Sequence, residues 1–290
     1  MKNSILYNAL HSYVRLCSKL YFNKLHIKGL NNIPKNGPVI FASNHQNAFL
    51  DAILIHVTQP RHPHFLTRGD VFNNPIANKV LRSLKMRPIF RFRDGLKNVK
   101  RNQGTFSECY HILESGLALG VFPEGNHDLR FNLRPLQKGT ARIVFDTESR
   151  NDFKLNIKII PVGIQYYANQ NARSDVLIQF GEPICSSDFA EFKLDEKTYH
   201  QTLTERIKAK MAQLIINIPI ENYDRIKRKW LMERQHIYPL IKAFEKDIKL
   251  INQESVTYTN EPKKYKWLLK LFSSHLKTWL FFFSFFHFFI

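Results

Sequence analysis

Cysteine is scarce in this chain. Cys17, Cys109 and Cys185 are the only three in 290 residues. They are odd in number, far apart and form no Cys-x-x-Cys pair. That excludes a disulfide framework and a cysteine metal centre, and it sets a reduced, cytosolic setting as the expectation. The N-terminus lacks the unbroken apolar core and small-residue cleavage site of a signal peptide. There is no Gly-x-Ser-x-Gly, so a hydrolase of the nucleophile-elbow type has no serine to use. No internal repeat and no nucleic-acid fold motif is found. Acidic residues are few: 24, against 43 Lys and Arg, a formal charge of +19. A surface so basic should meet polyanions, whether nucleic acid, anionic lipid or a phosphorylated substrate.

Apolar residues make up 44% of the chain, enough for one good-sized core or a core with an appendage. Phe alone accounts for 24 residues. Many lie in the closing run from Trp279 to Ile290, which is too short for the roughly 20 residues of a bilayer crossing. Preceded by Lys270, His275 and Lys277, it reads as a half-inserted or incomplete membrane segment. Residues 4–22 read as an amphipathic helix: Ile5, Leu6, Ala9, Leu10, Tyr13, Leu16, Cys17, Leu20 and Tyr21 recur at helical spacing between basic flanks. Such a helix either packs on a domain or lies in a lipid interface.

Short β-rich runs fall at 25–28, 39–42, 64–67, 88–91, 118–122, 158–162 and 176–180, with helical patterns at 48–57, 76–85, 99–114 and 138–147. Strands alternating with helices predict an α/β fold, a layered and mostly parallel sheet flanked by helices. The expected organisation is an N-terminal amphipathic helix (1–25), an α/β domain (26–215), a basic helical extension (216–262) and an apolar membrane-associating segment (263–290).

Four segments carry candidate chemistry. In Asn44-His45-Gln46-Asn47-Ala48-Phe49-Leu50-Asp51, His45 sits where a strand turns into a helix capped by Asn47. Asp51, one turn further on, can fold back to orient the imidazole and stabilise its protonated form. Strand-end turns are also where open α/β sheets bind ligands. In Arg91-Phe92-Arg93-Asp94-Gly95, two alternating guanidiniums at a strand end suit a phosphate. In Phe122-Pro123-Glu124-Gly125-Asn126-His127, a tight turn sends Glu124 to the sheet edge. Downstream, Lys138-Gly139 stands at an expected helix start, a place suited to an anion. His127-Asp128 is a second candidate pair, but adjacent side chains rarely face each other. The fourth segment, Ile159-Ile160-Pro161-Val162-Gly163, reads on its own as a buried strand.

Taken in this order, the four segments resemble the blocks of the lysophosphatidate and glycerol-3-phosphate acyltransferase family. The similarity covers roughly residues 1–215. Two departures stand out. Five residues, not four, separate His45 from Asp51, and Asn126 follows Phe-Pro-Glu-Gly where the family has Thr or Ser. The resemblance implies transfer of a fatty acyl group from acyl-CoA or acyl carrier protein to a hydroxyl of a lysophospholipid or glycerophosphate acceptor. It implies His45 and Asp51 as catalytic residues, and Arg91, Arg93, Glu124, Gly125 and Lys138 as substrate-binding residues. No cofactor and no catalytic metal are expected, because the leaving group is a thiol. A membrane phospholipid surface is the expected partner, at the cytoplasmic face, and no nucleic acid is expected. The alternatives are acyl transfer to another lysolipid or an amino lipid, and a non-catalytic basic protein binding membrane or nucleic acid.

Overall fold

The computed structural model of the chain describes residues 5–90, 102–167, 173–235 and 237–259. Arg91, Arg93 and the apolar segment 263–290 lie outside the described residues.

The β-rich runs become strands that are covered on both faces. In chain order they are β1 (Leu25–Lys28), β2 (Val39–Ser43), β3 (His64–Arg68), β4 (Met86–Ile89), β5 (Ala118–Val121), β6 (Lys158–Tyr166), β7 (Val176–Phe180) and β8 (Ile184–Cys185). The sheet order is β1-β7-β6-β2-β5-β3-β4, with β8 beside the start of β6. β6, β2, β5, β3 and β4 run parallel. β7 is antiparallel to β6, and β1 runs parallel to β7. Every residue of β2, β5 and β7 is buried, as expected of strands sandwiched between helical layers.

The helices are α1 (Ile5–Tyr21), α2 (Ala48–Thr58), α3 (Pro75–Ser83), α4 (Asn102–Glu114), α5 (Gly139–Ser149), α6 (Glu196–Ala212), α7 (Tyr223–Glu233) and α8 (Leu240–Thr259). The period-2 alternation of β2 divides the core. Val39 and Phe41 face a cluster with Leu54 and Ile55 of α2 and Phe22 beyond α1. Ile40 and Ala42 face the opposite cluster, with Leu113 of α4, Val144 of α5 and Leu203 of α6. A third cluster joins Leu177 of β7 to Ile226 and Trp230 of α7, Leu240 and Phe244 of α8, and Phe131 of the 122–138 loop.

The expected mostly parallel α/β layering is therefore what the chain adopts. Most boundaries move by one to three residues, and three differences stand out. The strand expected at 88–91 lies at Met86–Ile89, β8 was not foreseen, and β6 runs past 162 to Tyr166. The last difference has a local cause. Gly163 interrupts the apolar pattern but not the strand, because its missing Cβ would stand 2.2 Å from the Leu214 carbonyl oxygen. On α1, Tyr7 and Ser18 turn inward, whereas Tyr13, Leu16 and Leu20 are exposed. Among the described residues, no helix is long and apolar enough to cross a membrane.

Candidate active site

The site forms at the C-terminal ends of β2 and β5, where each central strand gives way to a turn. β2 stops at Ser43 because its next residue takes over the ladder with a side chain. The Asn44 amide donates to the Ile164 carbonyl at 3.0 Å, and its oxygen accepts from the Ile164 N–H at 2.8 Å. That pair fixes the level of β6 beside the turn, and with it the position of Tyr166.

Residues 45–47 then turn, and α2 begins at Ala48 with a left-handed φ of 44°. Asn47 occupies the N-cap without a side-chain capping bond. The Asp51 carboxylate instead reaches back from the first turn and accepts from the Asn47 N–H at 2.8 Å. The same oxygen lies 2.8 Å from His45 Nδ1, and the other accepts from the Tyr166 hydroxyl at 2.7 Å. Asp51 is thus fully buried and held by three partners, whereas the His45 side chain is 16% exposed. Burial, and then the neighbouring Asp51 carboxylate, push the Tyr166 phenol well above its ordinary pKa, so it remains a donor.

The imidazole is also held by its faces. It stacks on Phe122, with centroids 4.0 Å apart and planes at 15°. Phe122 in turn stacks over Phe65 of β3 at 6.0 Å. Gly120 makes room for that support, since a Cβ there would lie 2.2 Å from the Phe65 ring. His127 meets His45 edge-on at 5.8 Å, and burial together with the nearby His45 lowers its pKa. Its neighbour Asp128 turns away to pair with Arg130. The competing His127-Asp128 pair is therefore not formed.

Glu124 joins the two turns. Gly125, at φ 75°, closes a tight turn in which its N–H donates to the Phe122 carbonyl at 3.0 Å. One Glu124 oxygen then accepts from the His45 N–H at 2.8 Å. The other accepts from the Arg134 N–H at 3.2 Å and from its Nε at 2.9 Å. One guanidinium nitrogen of Arg134, Nη2, is buried without a hydrogen-bond partner among the described residues. Lys138 is exposed at the start of α5. The residue before it, Gln137, donates its N–H to the Pro123 carbonyl at 2.8 Å.

Of the residues picked out in the sequence, the fold brings His45, Asp51, Glu124 and Gly125 to one place. Arg91 and Arg93 lie outside the described residues. Tyr166, the ring stack of Phe122 and Phe65, and the Arg134 anchor were missed. Tyr166 is 115 residues from Asp51 in sequence, and no local spacing announces the contact. Chemically, a nitrogen pinned by a buried carboxylate leaves the other imidazole nitrogen as the one that can take a proton.

Residues 24–165 match the family model described as Acyltransferase. Glycerol-3-phosphate O-acyltransferase 1 of Saccharomyces cerevisiae is 35% identical over 79 residues, 26% of this chain and 10% of the yeast protein. The 1-acyl-sn-glycerol-3-phosphate acyltransferase of Borreliella burgdorferi is 24% identical over 163 residues, 53% of this chain and 63% of that one. The crystal structure of a 1-acyl-sn-glycerophosphate acyltransferase from Thermotoga maritima overlays with a TM-score of 0.46 and 19% identity, covering 71% of this chain and 81% of that one. The matched part of this chain thus spans less than two thirds of either sequence relative.

Proposed function

Because residues 24–165 carry the acyltransferase family's domain, we propose that this chain moves a fatty acyl group from a thioester to a hydroxyl of a glycerophosphate-type acceptor in phospholipid synthesis. The observation that carries the reading is the contact of His45 Nδ1 with the fully buried Asp51, at 2.8 Å. An alcohol is a poor nucleophile at neutral pH. His45 Nε2 removes the hydroxyl proton as the oxygen attacks the thioester carbonyl. The tetrahedral intermediate then collapses, the C–S bond breaks, and the leaving thiolate takes the proton back from the imidazolium. Asp51 holds the ring in the tautomer with Nδ1 protonated and stabilises its charged form. The Phe122 face adds the attraction of a ring quadrupole for the cation. No acyl-enzyme is required.

Arg91 and Arg93, with Lys138, are assigned to the acceptor phosphate. Glu124 and Gly125 shape the acceptor end of the site through the turn that Arg134 anchors. The donor is acyl-CoA or acyl carrier protein. Lysolipid acceptors reside in bilayers. The exposed Tyr13, Leu16 and Leu20 of α1 and the net charge of +19 support docking on an anionic membrane surface, at its cytoplasmic face. The basic 216–262 region and the apolar 263–290 segment are assigned to the same surface.

The test supplies vesicle-bound full chain with acyl-CoA or acyl carrier protein and a panel of glycerol-3-phosphate, lysophosphatidate and amino-lipid acceptors. His45→Ala should lower turnover by about 10²–10⁴-fold. Equal activity in wild type and variant would remove His45 from the chemistry. Consumption of no thioester with any acceptor would overturn the acyltransferase reading.

A further inference from the structure

Away from this site, three histidines from distant parts of the sequence converge on one another. His11 comes from α1, His56 from the last turn of α2, and His62 from the connection between α2 and β3. One ligand nitrogen of each lies within 4.8 Å of one of each of the others. The rings meet mostly edge to face. His11 and His62 are 4.6 Å apart at 80°, and His11 and His56 are 5.3 Å apart at 66°. His56 and His62 are 5.6 Å apart at 54°. Rings arranged in this way around a common centre are not a stack. α2 starts at the catalytic turn and carries Asp51 in its first turn, whereas His56 is in its last, so the cluster lies at the far end of that helix.

We propose that His11, His56 and His62 form a divalent-metal site, best suited to Zn²⁺, that ties α1 to α2. Zinc accepts three imidazoles in a four-coordinate shell, with Zn–N distances of about 2.0–2.1 Å. Tetrahedral ligands at that distance stand about 3.3 Å apart, so modest ring rotations from the observed separations close the site. Two features point to a ligand. His62 Nδ1 is buried without a hydrogen-bond partner among the described residues. His62 also holds a left-handed φ of 49°, backbone strain of the kind retained where a side chain must be aimed. The Tyr7 hydroxyl, 2.6 Å from His56 Nε2, stands where a fourth oxygen ligand or an outer hydrogen bond belongs.

One group opposes the ion. The Lys85 ammonium donates to the His62 carbonyl at 3.4 Å and lies 4.9 Å above the Tyr7 ring.

The test uses the full chain without a histidine tag, stripped with chelator and titrated calorimetrically with zinc chloride. Wild type should bind one zinc per chain, and added Co²⁺ should give the intense visible bands of a four-coordinate site. His11→Asn and His62→Asn should each weaken binding by at least about tenfold. His26→Asn, a histidine on β1, should leave it unchanged. Far-UV circular dichroism in chelator guards against a folding defect, and the asparagines keep each site polar and similar in size. Equal zinc binding by wild type and both variants would overturn the site, as would a wild type that binds none. Weak octahedral Co²⁺ bands would overturn the three-imidazole geometry.

Discussion

At the scale of single residues, Asp51 is the position on which most depends. It accepts from His45, the Asn47 N–H and the Tyr166 hydroxyl, and it is fully buried. Asp51→Asn keeps the shape but offers one oxygen where two were used, and its NH2 group cannot accept from Nδ1–H. The ring is then free to take the wrong tautomer. Turnover should fall by about 10²–10⁴-fold with the acceptor KM changed far less, as measured by steady-state kinetics on vesicles. An equal rise in KM without loss of kcat would make Asp51 a structural residue only. Gly120 gives a second prediction at this scale. Gly120→Ala drives a methyl into the Phe65 ring, which supports Phe122, which supports His45. Overpacking of this kind costs roughly 1–3 kcal/mol. The melting temperature should drop, and kcat should fall although residue 120 touches neither His45 nor Asp51 directly.

At the scale of elements, α1 shows what periodicity reveals and what it leaves open. The apolar spacing in 4–22 marked a helix, and Ile5–Tyr21 is one. Periodicity could not say which side faces the protein. The structure divides the apolar residues, turning Tyr7 inward and leaving Tyr13, Leu16 and Leu20 outward. The inward face is fixed by partners no local pattern contains, such as the Tyr7 bond to His56. The same limit hid the three-histidine cluster, whose members are brought together only when α1 lies along α2. β6 fell short in the sequence for a different reason. Gly163 ends the apolar run, but its missing Cβ permits close approach of Leu214, and the strand continues to deliver Tyr166. The outward face of α1 is testable. Leu16→Glu with Leu20→Glu changes exposed positions, so the melting temperature should move little. Co-flotation with vesicles containing anionic phospholipid should weaken several-fold. Unchanged flotation would assign membrane contact to another part of the chain.

At the scale of the whole molecule, the legible part was the pair of turns around His45 and Glu124, because each is local: a strand end and a few residues of loop. The sequence placed the 216–262 region in a separate extension, and its packing was illegible because its partners are distant. Ile216 donates its N–H to Gln165 of β6, and Trp230 of α7 meets the Phe131 ring edge-on at 4.9 Å. Phe131 belongs to the loop that also holds the site. The carbonyl of the preceding residue, Arg130, accepts from Gln46 beside His45, and Arg134 anchors Glu124. The helical region after 216 therefore braces the Glu124 turn from behind. Trp230 is 1% exposed at the centre of that brace. Trp230→Ala removes a large ring from a packed cluster and should cost roughly 3–5 kcal/mol. Thermal unfolding should register that loss as about 2–4 °C per kcal/mol for a chain of this size class. The consequence for activity separates bracing from mere stability. Below the lowered melting temperature, a loosened 128–134 loop should raise the acceptor KM while the acyl-donor KM stays within about twofold, because a substrate-specific KM rise reports lost binding of that substrate. Trp230→Phe, which keeps an aromatic edge against Phe131, should recover most of the acceptor affinity. A variant that melts early yet binds both substrates as wild type does would show that the third cluster stabilises the fold without positioning the site.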